Sequence, residues 1–113
     1  MIRVELPLKT VSLLNMREHW RANATRKALH RRTVSLAFIA AKAAAPELPV
    51  TVTLTRVSPG TLDEHDNLPS AFKHVVDGVA SWLGIDDADP RVTWRYAQQK
   101  CARGKFGVIV EVA

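Results

Sequence analysis

Cysteine is nearly missing from this 113-residue chain: Cys101 stands alone, which excludes an internal disulfide and any cysteine-rich zinc site, and gives that residue no evident role. Long apolar runs are missing too. No stretch approaches the roughly 18 residues needed to span a bilayer, and residues 1–8 alternate apolar and polar side chains instead of building a signal-peptide core. Both absences predict a cytoplasmic protein with no membrane partner. There is no internal repeat, and no low-complexity tract apart from an alanine-rich stretch near residue 43. Histidines at 19, 30, 65 and 74 match no zinc spacing such as HExxH. His19, His30 and His74 read as surface or DNA-facing residues on helices, and His65 stands among carboxylates.

What remains is an ordinary globular composition, 47% hydrophobic and 24% charged, at a length suited to one domain spanning residues 1–113 around one core. The net charge of +5 is unevenly spread. Residues 1–61 sum to +7, residues 62–90 to −6 and residues 91–113 to +4. A basic protein with one acidic island suits a surface that attracts polyanions around a pocket that would repel them without a metal ion. The plainer reading is a solvated basic surface with a charged loop.

The first strand is expected over residues 1–8, with Ile2, Val4 and Leu6 on one face. Residues 17–45 contain neither Gly nor Pro, are rich in Ala, Leu, Arg and Lys, and precede Pro46, so a long helix is expected there. A helical period places Arg17, Arg21, Lys27, Arg31 and Lys42 in one stripe and Leu29, Leu36, Ala40 and Ala43 in another. The basic face suits DNA, and Arg17, Arg21, Lys27, Arg31 and Arg32 are the candidate phosphate contacts. Residues 34–45 are apolar on nearly every side, which implies burial under a sheet or against a second subunit. Trp20, Trp82 and Trp94 read as core or interface residues rather than base-stacking ones.

A second strand is expected over residues 49–57, with Val50, Val52, Leu54 and Arg56 alternating against threonines. A second helix covers residues 67–83, capped by Asp66 or Asn67, with Pro69 in its first turn and Gly84 after its last apolar residue. Its core stripe is Leu68, Phe72, Val75, Val76, Val79 and Leu83. Strands over residues 92–98 and 106–112 follow, joined by residues 100–104, whose Gly suits a hairpin. The order β-α-β-α-β-β predicts an α+β domain, a mixed or antiparallel sheet of about four strands with two main helices.

The chemistry concentrates around the second helix. Asp66, Ser70, Lys73 and Asp77 fall on one face of it, Asp63, Glu64 and His65 precede it, and Asp86, Asp87 and Asp89 follow it. A helix of that length spans roughly 25 Å, so the acidic ends meet only if the loop after Gly84 folds back along the helix or the strands ending near Val57 and starting near Val92 lie together. If they meet, they offer hard oxygen ligands. Two or three carboxylates suffice for Mg²⁺, which retains several waters, serves phosphodiester hydrolysis by generating the nucleophile and stabilising charge on the phosphate, and is the ion this donor set prefers over zinc. Lys73 would then neutralise the phosphate or orient the attacking water. The alternative is a capping segment at residues 63–66, a polar turn at residues 86–89 and an ordinary surface pair of Lys73 with Asp77.

These residues, Asp66-Asn67-Leu68 followed by Lys73, Asp77, Gly84 and Asp86-Asp87, resemble the D-x-D-N-L, Lys, Asp and D-D pattern of RusA-type Holliday junction resolvases. The wording LDEHDNL with LGIDDADPRVTW is similar to a phage or prophage branch of that family. The likeness covers most of the chain. It implies a RusA-like fold and a homodimeric, Mg²⁺-dependent endodeoxyribonuclease that makes paired symmetric nicks in four-way junctions, with Mn²⁺ as a substitute ion. It also implies a role in DNA recombination and repair at the nucleoid. Carried over residue by residue, it implies Asp66 and Asp87 as essential acids, with a third acid just ahead. The family spacing puts that third acid at Glu64, whereas Asp63 is displaced by one residue; Asp63 is favoured, because the extra residue can bulge, with Glu64 as its competitor. The catalytic set is then Asp63, Asp66, Asp87 and Lys73, and the metal ligands come from Asp63, Glu64, Asp66 and Asp87. The family lysine falls where this chain has Ser70; Lys73 lies about one turn further on the same face. Two other functions compete: a non-catalytic junction-binding protein that retains the fold, and a metal-stabilised structural module without nucleic acid.

Overall fold

The computed structural model describes residues 1–12 and 20–113; Arg17 and His19 lie outside the described residues, as does the side chain of Trp20. The element order is β1 (Ile2–Leu6), α1 (Trp20–Ala40), β2 (Val50–Ser58), α2 (Asn67–Ala71), α3 (Lys73–Leu83), β3 (Val92–Lys100) and β4 (Gly107–Val112). This is the expected α+β order, with the second helix divided in two. The four strands form one mixed sheet in the order β1-β4-β2-β3. β4 is antiparallel to both β1 and β2, while β2 and β3 are parallel, with Val50 opposite Val92 and Ser58 opposite Lys100. β1, β2 and β3 therefore point the same way. Among the described residues no helix is long and apolar enough to cross a membrane.

The alternation read from the strands holds. Val50, Val52 and Leu54 are buried with Val4, Leu6, Val108, Val110 and Val112, and they meet Leu68, Phe72, Val75, Val76 and Val79 from the helices. The hairpin expected between the last two strands is not formed, because β2 lies between β3 and β4. Gly104 does take a left-handed turn, φ 82°. The chain uses it to cross the end of β2, a long-range pairing that local turn chemistry does not encode.

α1 stops at Ala40, five residues short of the expected end. Lys42 takes φ 52°, the Ala43 amide donates to the Phe38 carbonyl and the Lys42 amide to the Ile39 carbonyl, each at 3.0 Å. That is a Schellman stop built without glycine. α1 buries a narrow stripe, His30, Val34 and Phe38, whereas Leu29, Leu36 and Ile39 of the same helix stay 55%, 52% and 68% exposed. Its neighbour is α3. His30 meets His74, Gly78 lies under Val34, and Phe38 stacks on Trp82 with ring centres 3.8 Å apart. Steps of four residues on both helices show that they run parallel, with i to i+4 rows in contact.

Candidate acidic site

The first acidic cluster is shaped by the loop that leaves β2. Gln98, opposite Arg56 in the parallel ladder, holds Leu62 by both main-chain groups: the Leu62 amide donates to Oε1 at 2.7 Å and Nε2 donates to the Leu62 carbonyl at 2.8 Å. Asp63 then caps the next helix. Its Oδ2 accepts from the Asp66 amide at 2.9 Å and the Asn67 amide at 3.2 Å, and its Oδ1 accepts from Asn67 Nδ2. The cap expected of Asp66 or Asn67 thus comes from Asp63, while Asp66 makes no side-chain cap. The Asn67 side chain and the two amides hold the Asp63 carboxyl below the usual carboxylate range. Glu64, His65 and Asp66 are exposed.

The helical segment breaks at Phe72, φ −93° and ψ −1°, giving α2 and α3 in place of one helix. The polar face survives the break. Ser70 and Lys73 border one cavity of about 400 Å³ together with Pro69, Val76, Tyr96 and Asp87.

Asp87 reaches that cavity because the loop after α3 turns back. Gly84 ends α3 at φ 74°, and the Ile85 amide donates to the Ala80 carbonyl at 3.1 Å, again a Schellman stop. Asp86 accepts from the Ala88 amide at 2.9 Å, and the Trp94 indole Nε1 donates to the Asp87 carbonyl oxygen at 3.0 Å. Of the two routes by which the acidic ends were expected to meet, the chain takes the first only as far as Ser70 and Lys73. Parallel pairing of β2 with β3 puts residues 59–66 and residues 84–91 at opposite ends of the strands, so only the fold-back brings Asp87 alongside Ser70, whose amide donates to the Asp66 carbonyl at 3.2 Å.

Asp87 also lines a second, shallow cavity of about 420 Å³, with Asp77, Asp86, Ser81, Ile85 and, from α1, Lys27 and Arg31. Asp86 and Asp87 are hydrogen-bonded through their carboxyls. That bond first, then desolvation and the charges of Asp86 and Asp77, push the Asp87 carboxyl up. The Asp86 carboxyl is held down, first by the Ala88 amide. Burial and the charge of Asp87 raise the Tyr96 hydroxyl. Asp89 stands apart, paired with Arg91 at 2.8 Å, and its carboxyl is held at about 2 by the Arg91 side-chain bond.

Of the candidate DNA contacts, Arg21, Lys27, Arg31 and Arg32 are exposed on α1, and Lys27 and Arg31 face the acidic cavity. His30 and His74 are not surface residues: they are 2% and 5% exposed, packed edge to face between α1 and α3. Trp82 and Trp94 are half-buried, in keeping with their expected packing role. The structure adds Asp77, Asp86 and Tyr96 to the surroundings of Asp87. The signal for Asp86 was its adjacency to Asp87; Tyr96, four residues into a strand, offered none.

Compared with protein families and with curated proteins, the chain matches none. Among the described residues no group of three or more His, Cys, Asp or Glu is gathered for one ion. Asp63, Glu64, Asp66 and Asp87 are thus not assembled as a single ligand set. The donor chemistry nonetheless suits Mg²⁺, which needs only one or two carboxylates and brings its own waters. Adjacent carboxyls beside a third acid are a place where a divalent cation relieves repulsion.

Proposed function

We propose that this protein is a Mg²⁺-dependent endodeoxyribonuclease that nicks four-way junctions or other branched DNA, as the resemblance of its motifs to RusA-type resolvases implies. One observation carries the reading: the fold-back of residues 84–89 sets Asp87 between a cavity lined by Ser70 and Lys73 and one lined by Asp77, Asp86, Lys27 and Arg31. An acidic centre flanked by cations on both sides fits a metal ion with a phosphodiester laid across it.

Asp87 would hold the ion, and the motif resemblance adds Asp66, with Glu64 ahead of Asp63 as the third because Asp63 is already engaged as a helix cap; the described residues do not gather these three together before the ion binds. Bound there, the ion supplies an activated water and neutralises charge developing on the phosphate. Lys73 places its ammonium beside the same cavity and counters the phosphate charge. Lys27 and Arg31 position the strand by its backbone and carry no sequence information. Symmetric nicking calls for two copies about a two-fold axis, and exposed Leu29, Leu36 and Ile39 suit α1 to face a second copy.

The test is nicking of a synthetic four-way junction with Mg²⁺ or Mn²⁺, alongside Asp66→Asn and Asp87→Asn. The expected result is cleavage in the wild type and none in either variant, with junction binding retained. Cleavage unchanged in both variants overturns the site assignment. Salt-sensitive binding with no metal-dependent cleavage assigns the protein to non-catalytic junction binding instead.

A further inference from the structure

β1, β2 and β3 end on one side of the sheet, where residues 7–12, 59–66 and 101–106 form the connections. Ligands of open sheets with parallel strands gather at such carboxyl ends. This end also holds Lys9, Lys100, Arg103 and Lys105.

Arg56 is the unusual residue there. It continues the inward row Val50, Val52 and Leu54, yet it ends in a guanidinium. Its Nε donates to Thr10 Oγ1 at 3.2 Å and its Nη1 to the Gly60 carbonyl at 3.1 Å, both neutral acceptors. Among the described residues it has no carboxylate partner, although Asp63, Glu64 and Asp66 follow on the very loop that it tethers, and burial lowers its pKa. A half-buried cation without a counter-charge carries a desolvation cost that an incoming anion relieves. Two of its five N–H donors are engaged, leaving a fork of the kind that binds phosphate. The tether is open to solvent: a β-carbon on Gly60 would meet nothing within 4 Å.

We infer that Arg56, presented by Thr10 and Gly60 at the carboxyl end of the sheet, is a phosphodiester-binding residue that anchors a DNA backbone phosphate next to the residue 63–66 turn. The anion site stands on the geometry of Arg56; only the identification of its anion as DNA rests on the nuclease reading.

The experiment is salt-dependent binding of a four-way junction without divalent metal, for wild type, Arg56→Gln and Arg56→Lys, with thermal unfolding of each. Arg56→Gln is expected to bind roughly tenfold more weakly, with the salt slope reduced by about 1. Arg56→Lys is expected to keep the slope and lose part of the affinity, since an ammonium cannot hold the two acceptors and grip a phosphate as a fork. Unchanged affinity and slope in Arg56→Gln, with only a lower melting temperature, would make Arg56 a loop tether and overturn the inference. A titration of inorganic phosphate, followed at the Arg56 Nε–H resonance of the wild type, covers variants that fail to fold. A saturable shift is expected, and no shift overturns the site. Failure of the nuclease reading would appear separately, as absent Mg²⁺-dependent nicking with these binding results unchanged.

Discussion

The indole Nε1 of Trp94 donates to the main-chain carbonyl of Asp87 at 3.0 Å, so the strand that follows the acidic loop also holds that loop in place. Replacing Trp94 with Phe keeps the ring and removes the donor. A cost of about 1 kcal/mol in stability is expected, with faster amide exchange across residues 85–89 and weaker metal-dependent cleavage at unchanged junction affinity. Amide exchange as slow as in the wild type would show that the indole does not hold the loop.

The effect of Asp86 on Asp87 sets a pH limit on the site. Because the Asp87 carboxyl is raised, a divalent cation must compete with its proton, and metal-dependent activity should fall as pH drops through that raised pKa. Asp86→Ala removes the bond and the neighbouring charge. Asp87 should then titrate at lower pH, as read by carboxyl NMR, although the Ala88 turn bond is lost as well. An unmoved Asp87 titration contradicts the raising effect of Asp86.

His30 predicts acid sensitivity well above the carboxylate range. Burial first, then the charges of His74 and Arg26, lower its pKa from 6.5 to about 4. The folded state therefore favours the neutral ring. As pH falls from 6.5 toward 4 the unfolded chain takes up a proton that the folded chain refuses, so stability declines by up to about 3 kcal/mol and that contribution is gone below 4. His74 is shifted in the same direction, chiefly by burial. Denaturation midpoints across this window should slope, and His30→Leu should flatten the slope.

Gly78 allows the close approach of α1 and α3. A β-carbon there would stand 3.1 Å from the Val34 β-carbon and 3.3 Å from both of its methyls. Gly78→Ala should cost about 1 kcal/mol despite the better helix former, and Val34→Ala should recover part of that loss in the double variant. A higher melting temperature for Gly78→Ala alone would refute the tight contact.

The order of elements was legible because it is written locally: the Val50, Val52, Leu54 alternation, the glycine at position 84 and the stripe from Leu68 to Leu83 each report on their own neighbourhood. What escaped depends on distant partners. Leu29 and Leu36 stand as a good apolar stripe, but α1 turns His30, Val34 and Phe38 inward because Gly78 and Trp82 offer the fitting surface. The end of α1 was hidden because Lys42, not a glycine, takes the left-handed position. In the acidic site the residue types were readable, but their roles were less so. Asp63 and Asp66 are both plausible caps by position, and the choice fell to a residue whose second oxygen also meets Asn67. The meeting of Asp87 with the face that carries Ser70 and Lys73 depends on a loop fold-back that spacing leaves open.

The place of β4 bears on how the chain acquires its shape during synthesis. Among the described residues β1 has no ladder partner except β4, and β4 is made after the other three strands of the sheet. β2, α3 and β3 can assemble as a βαβ unit as soon as they leave the ribosome, but β1 must wait until residues 107–112 arrive and slot between it and β2. The basic helix that follows β1 need not wait, since His74, Gly78 and Trp82 of α3 already offer it a surface. A nascent chain would thus carry its acidic loop and its helices folded before β1 is held, and ribosome-stalled chains lacking residues 107–112 should be cut by protease within β1 and protected from β2 onward.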